Sequence, residues 1–171
     1  FYTPEAIVVV GAAELEFLKE RAKENPRRRS RLCTHGTPAD AVHEMIIVHH
    51  RDCYVRPHRH RASGESLHVI EGTADVVAFD ESGAITNTFE ISEPSSAGAF
   101  YYRMPAMQFH TVLITAEWLI FHEATRGPFV RANTQFPSWA PDGNAEDPVR
   151  EYLAKIRKDI QRFRKESFRS C

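Results

Sequence analysis

The stretch Arg56-Pro57-His58-Arg59-His60-Arg61-Ala62-Ser63-Gly64-Glu65 brings two imidazoles and a carboxylate within reach of one point. On an extended strand residues i and i+2 share a face, so His58 and His60 point the same way, and a turn after them returns Glu65 to their side. Imidazole and carboxylate donors suit Zn or Fe, and also Mn or Ni, and a mixed set with positions to spare leaves room for water or a ligand oxygen. One more ligand is expected from elsewhere in the chain. His110 fits, because it opens the run His110-Thr111-Val112-Leu113-Ile114, whose alternate residues face inward if the run is a strand.

Taken together, His-x-His, four residues, Glu, six residues and Gly (His58, His60, Glu65, Gly72), with Pro105 and then His110 five residues later, resemble the two motifs of the cupin superfamily. The phrases Tyr54-Val55-Arg56-Pro57-His58-Arg59-His60, Phe79-Asp80-Glu81-Ser82-Gly83, Gly127-Pro128-Phe129 and Trp139-Ala140-Pro141 are similar to those of WbuC-type cupin-fold metalloproteins, a likeness that spans residues 25 to 141. Asp52, Met107 and Ile114 depart from the usual residues, but none of these positions supplies a ligand in the family. The resemblance implies an all-β fold: a single cupin barrel (double-stranded β-helix or jelly roll) holding one divalent transition metal through His58, His60, Glu65 and His110. It also implies an association with polysaccharide biosynthesis and a sugar-derived or other small polar, anionic substrate. It does not select a reaction, because cupins include dioxygenases, isomerases, decarboxylases and sensors. A metal-dependent enzyme, an Fe-dependent dioxygenase among the options, and a non-catalytic ligand-binding or sensor protein therefore both stay open.

The residues that must position this set read as strands between two helices. Residues 13–24 are strong helix formers with Leu15, Leu18 and Ala22 on one face, ended by Asn25-Pro26. From His43 the pattern predicts strands over 43–50, 53–57, 65–71, 73–80, 84–91, 99–104, 107–115 and 117–125, with turns at Gly72 and Asp80–Gly83. About eight short strands at this interval suggest a sandwich or barrel. Residues beyond Gly127-Pro128 form a proline-rich strap, and Val149, Tyr152, Leu153, Ile156, Ile160 and Phe163 mark one face of a closing helix. The expected organisation is one structural domain: a helix and basic connector over 1–35, the barrel over 36–130, and a strap with helix over 131–171.

Arginines supply the expected anion contacts. The Arg27–Arg31 run is either a solvated connector or a clamp for phosphate or carboxylate, with Arg27, Arg29, Arg56 and Arg103 as the proposed substrate-binding residues. The proton-transfer candidates are His68, His122 and Tyr102, with His49 another cavity-lining possibility. His35, His43 and His50 read as structural.

Composition bounds the partners. The 171 residues, 42% hydrophobic, are enough for one well-packed domain, and 22 basic against 23 acidic residues give a net charge of −1 that favours neither nucleic acid nor membrane. Three cysteines without zinc spacing fit reduced thiols in a cytoplasmic protein, and the basic final helix has an apolar stripe that the barrel or a second subunit should satisfy in preference to a membrane surface; a homodimer is expected. The apolar run 6–13 is too short for a span and lacks a basic leader.

Overall fold

The computed structural model describes residues 1–3 and 5–169. Helix α1 (Ala12–Glu24) starts where Glu14 reaches back to the Gly11 amide at 2.7 Å and ends at Asn25, whose extended backbone leads into Pro26. Strands β1 (Arg29–Cys33), β2 (Val42–His50), β4 (Glu65–Phe79), β5 (Ile85–Ser92), β6 (Tyr101–Met104) and β7 (Phe109–Arg126) make one sheet in the order β1-β2-β7-β4-β5, with β6 against the first half of β4. A second, two-stranded sheet joins β3 (Arg59–His60) to β8 (Thr134–Gln135). Helix α2 (Glu146–Arg169) closes the chain. Among the described residues no helix is long and apolar enough to cross a membrane.

Two expectations are corrected. The predicted pairs of strands around Gly72 and around Ala116 are each one long strand, β4 and β7, paired antiparallel from Glu65↔Thr125 to Phe79↔Phe109. What the sequence presents as a turn is a bulge. The register slips between Val69 and Ala74, and inward positions change from odd (Leu67, Val69) to even (Ala74, Val76) in β4, and from even (Val112, Ile114) to odd (Leu119, Phe121) in β7. Two irregularities do this, one extra residue in β4 between Val69 and Glu71 and three extra in β7 opposite Gly72–Ala74, and each odd offset moves later side chains to the other face, so the bending strands stay pointed at one interior. Gly72 is required there: its φ is +88°, and a Cβ would lie 1.9 Å from the Trp118 carbonyl oxygen.

The second correction concerns the basic run. Arg29 to Cys33 is not a connector but the edge strand β1, in register with β2 from Arg29↔His49 to Cys33↔Met45. Its alternation places Arg29, Arg31 and Cys33 on the cavity side, while Ser30 bonds the Leu18 carbonyl of α1 at 2.6 Å and Leu32 packs towards the same helix.

Three apolar clusters fix this arrangement. Met45, Ile47, Leu67, Val69, Val76, Val112, Ile114 and Phe121 fill the barrel interior. Outward residues Ile46, Val48, Trp118 and Ile120 bury Leu18 and Ala22 of α1. Val77, Phe79, Phe109 and Leu113 bury Ile156 and Ile160 of α2. Each fully buried aliphatic side chain contributes roughly 1.5–3 kcal/mol, so the barrel's stability rests on apolar packing.

Candidate metal centre

Glu65 opens β4 and His110 is the second residue of β7, and their side chains meet at 2.9 Å between Oε1 and Nε2. The His58 backbone pairs with that of His110 through two hydrogen bonds, His58 N to His110 O at 3.0 Å and His110 N to His58 O at 2.9 Å. His60, on β3, places its Nε2 3.1 Å from Glu65 Oε2. One ligand atom each from His58, Glu65 and His110 lies within 4.8 Å of the others, a spread compatible with a single ion. The ring centroids of His58 lie 5.1 Å from His60 and 4.7 Å from His110.

Second partners orient the imidazoles. Nδ1 of His58 donates to the Arg56 carbonyl at 2.9 Å, and Nδ1 of His110 donates to the Gln108 carbonyl at 3.0 Å. His60 Nδ1 is 3.4 Å from the Thr134 hydroxyl. A carbonyl can only accept, so the proton of His58 and of His110 is fixed on Nδ1 and Nε2 is the atom left to ligate. Gly64 makes the approach possible: a Cβ there would stand 2.5 Å from the Met104 carbonyl.

Electrostatics fit a cation at this point. Burial by itself would raise the Glu65 carboxyl, but hydrogen bonds from His110 and His60 outweigh it and hold the group well below the usual carboxylate range. Burial lowers His58 to about 4, helped by the neighbouring His110, so it is neutral at physiological pH. Burial also acts to lower His110, yet the Glu65 carboxylate outweighs it and raises that ring. A metal would displace the proton that His110 shares with Glu65.

These four residues line a cavity of about 1340 Å³ that runs down the barrel interior. Its wall includes Arg27, Arg29, Arg31 and Arg56, and residues of the strap and of α2 border its mouth. The Arg56 guanidinium lies 4.7 Å from the Phe136 ring centroid and donates to the Pro137 carbonyl at 3.5 Å, so the strap lies over both Arg56 and His58. Arg103 is exposed on β6 and lies outside this cavity. Of the proton-transfer candidates His68, His122 and Tyr102, Tyr102 lines the cavity, and so does His49. His68 and His122 are cross-strand neighbours on the outer face, His68 against Phe100 and His122 3.7 Å from Glu44. His49 does face inward, and burial with nearby Arg29 lowers it to about 3.

His35 and His43 stack with centroids 4.0 Å apart, and His50 packs on Trp118. The sequence reading passed over Glu123. It projects into the same cavity from β7, where burial, with a smaller contribution from Glu65, raises its carboxyl to about 8 against the opposing Arg31. Its only sequence signal is the inward alternation Leu119, Phe121, Glu123, which depends on the bulge before it.

Comparison with solved structures agrees with this architecture. CapF, solved with the inhibitor 3-isopropenyl-tropolone, superposes with a TM-score of 0.53 at 13% identity, covering 66% of this chain and 32% of that one. The chain has the cupin barrel fold. Oxalate decarboxylase from Bacillus subtilis is also similar, with a TM-score of 0.47 at 17% identity over 63% of this chain and 27% of that one. The chain spans about a quarter to a third of the length of these two structures. Residues 10–91 match the family described as a domain of unknown function, DUF6016. No curated protein matches the sequence.

Proposed function

We propose that this cupin barrel binds one divalent transition metal through His58, His60, Glu65 and His110 and presents it to a small polar, anionic molecule. The observation that carries the reading is the shared orientation of the imidazoles: His58 and His110 spend Nδ1 on backbone carbonyls and turn their remaining nitrogens towards Glu65. A buried carboxylate held ionised beside three imidazoles is a costly arrangement for a core, and a cation offsets that cost.

The bound metal supplies Lewis-acid polarisation of a ligand carbonyl or hydroxyl. The chain's own groups do the rest. Arg27 and Arg29 attract the anionic group from the mouth, and Arg56, held flat by Phe136, fixes its direction. Tyr102 offers its hydroxyl from the wall, and the strap around Phe136 limits water around His58.

The reading extends to a WbuC-type cupin and a sugar-derived ligand, supported by the packing of two of its phrases. Trp139 lies over Phe79 and Phe109 and donates to the Glu81 carbonyl at 3.1 Å, which ties the Trp139–Pro141 phrase to the Asp80–Gly83 turn.

Elemental analysis of anaerobically purified protein tests the proposal. Close to one equivalent of iron or zinc is expected, iron favouring oxygen chemistry and zinc favouring Lewis-acid chemistry. In a cobalt-substituted sample, adding a small anion should change the visible spectrum. A site that takes up no metal, or whose spectrum ignores anions, would sink the reading.

A further inference from the structure

The cavity wall carries a second pair of polar groups that the metal centre does not use. Across β7, β4 and β6 the residues Glu123, Leu67 and Tyr102 form one rung, through the pairs Leu67↔Glu123 and Leu67↔Tyr102. The neighbouring rung is Thr125, Glu65 and Met104. Adjacent inward rungs on a strand are about 6.6 Å apart, so Glu123 and Tyr102 stand one step further down the barrel than Glu65.

Among the described residues neither group has a hydrogen-bond or ion-pair partner. Tyr102 is 7% exposed and its hydroxyl has no hydrogen-bond partner among the described residues. The Glu123 carboxyl faces the same cavity and forms no ion pair or hydrogen bond with another described residue. Arg31, from β1, is the cation whose field reaches it, while its guanidinium Nη1 sits 3.7 Å from the Met45 sulfur. Buried polar groups are almost always hydrogen-bonded, and a buried phenol without a partner beside a half-buried carboxyl that faces the same cavity points to a ligand there.

We infer that Glu123 and Tyr102 form a second subsite, one rung from the metal centre, that binds hydroxyl groups of the ligand. A carboxyl group and a phenol accept from and donate to hydroxyls. A second anionic end is disfavoured, because Glu65 and Glu123 both face that region, whereas the arginines of the mouth attract one. By register Arg31 and then Arg29 stand on the rungs beyond Glu123 as seen from Glu65, so the ligand is oriented with one oxygen at the metal centre, its hydroxyls at Glu123 and Tyr102, and its anionic group towards the arginines. The inference rests on the proposed reading only in that this cavity is where the ligand binds.

Two probes separate the ends. D-gluconate and hexanoate are acids of equal chain length that differ in their hydroxyl groups, and each is titrated calorimetrically into the full chain with metal content measured on the same samples. The wild type is expected to prefer gluconate. Tyr102→Phe, which removes one oxygen and keeps the ring, and Glu123→Leu should each cut that preference by about tenfold, by weakening gluconate and not hexanoate. Metal content should not change in either variant. The preference should persist, reduced, in metal-stripped protein, so a chain that binds no metal yet prefers gluconate overturns the metal reading alone. An unchanged preference in Tyr102→Phe overturns the subsite, as does a wild type with no preference.

Discussion

Glu65 and His110 stand 45 residues apart in sequence and meet at 2.9 Å, in a contact where the carboxylate is 7% exposed and the imidazole 2%. A pair this buried survives only with its charges matched, and His60 supplies the other carboxylate oxygen with a partner at 3.1 Å. The contact joins β4 to β7, the longest strand pairing in the barrel.

Removal of single ligands should separate the metal from the fold. His60→Ala and His110→Ala are each expected to lose stoichiometric metal, read by elemental analysis, while keeping a cooperative thermal transition, because the apolar clusters do not depend on the ion. Glu65→Gln keeps a coordinating oxygen without the charge and should retain metal weakly. His68→Ala, on the outer face, should leave occupancy unchanged. Full occupancy in both histidine variants would show that the site lies elsewhere.

His49 should make the barrel acid-sensitive. Burial holds its ring neutral down to about pH 3, whereas the unfolded chain takes up a proton below its ordinary value of 6.5. Between these values the unfolded state binds more protons, so stability falls as pH falls, with a slope that approaches about 1.4 kcal/mol per pH unit for this one group. His58, lowered to about 4, acts in the same direction. Urea unfolding at several pH values should show a shallower pH dependence in His49→Phe than in the wild type, and parallel curves would refute the assignment.

Gly72→Ala should destabilise by about 3 kcal/mol or more, since it meets both a positive φ and a carbonyl oxygen at 1.9 Å. Thermal melting is the measurement. A loss of a few tenths of a kcal/mol would mean that the bulge can form without glycine.

The arginines of the mouth should act through charge. Arg27→Ala combined with Arg29→Ala is expected to weaken binding of inorganic phosphate at least tenfold at low salt, with the difference shrinking as ionic strength rises. Metal content should stay the same. Equal phosphate affinity in wild type and variant would leave both arginines without a binding role.

Much of the centre was legible because its signals are local. His58, His60 and Glu65 lie within one short segment, and the i, i+2 geometry of a strand followed by a tight turn is enough to group them as candidates. Both helices followed from their apolar faces, and the first also from its Asn25-Pro26 end, for the same reason. His110 was a candidate from the alternation of its own run and from the family resemblance, since nothing local ties it to residues 58 to 65. What only the tertiary structure decided is which side each later residue faces. An odd number of extra residues reverses strand parity, and the irregular region that does so here has the Trp118 carbonyl lying against Gly72, a contact between β4 and β7 that no local spacing encodes. That reversal turns Glu123 into the cavity and His122 out of it, and the pairing of the basic segment with β2 turns Arg29 and Arg31 inward, because strand facing is set by the partner's register and not by the residue's own chemistry.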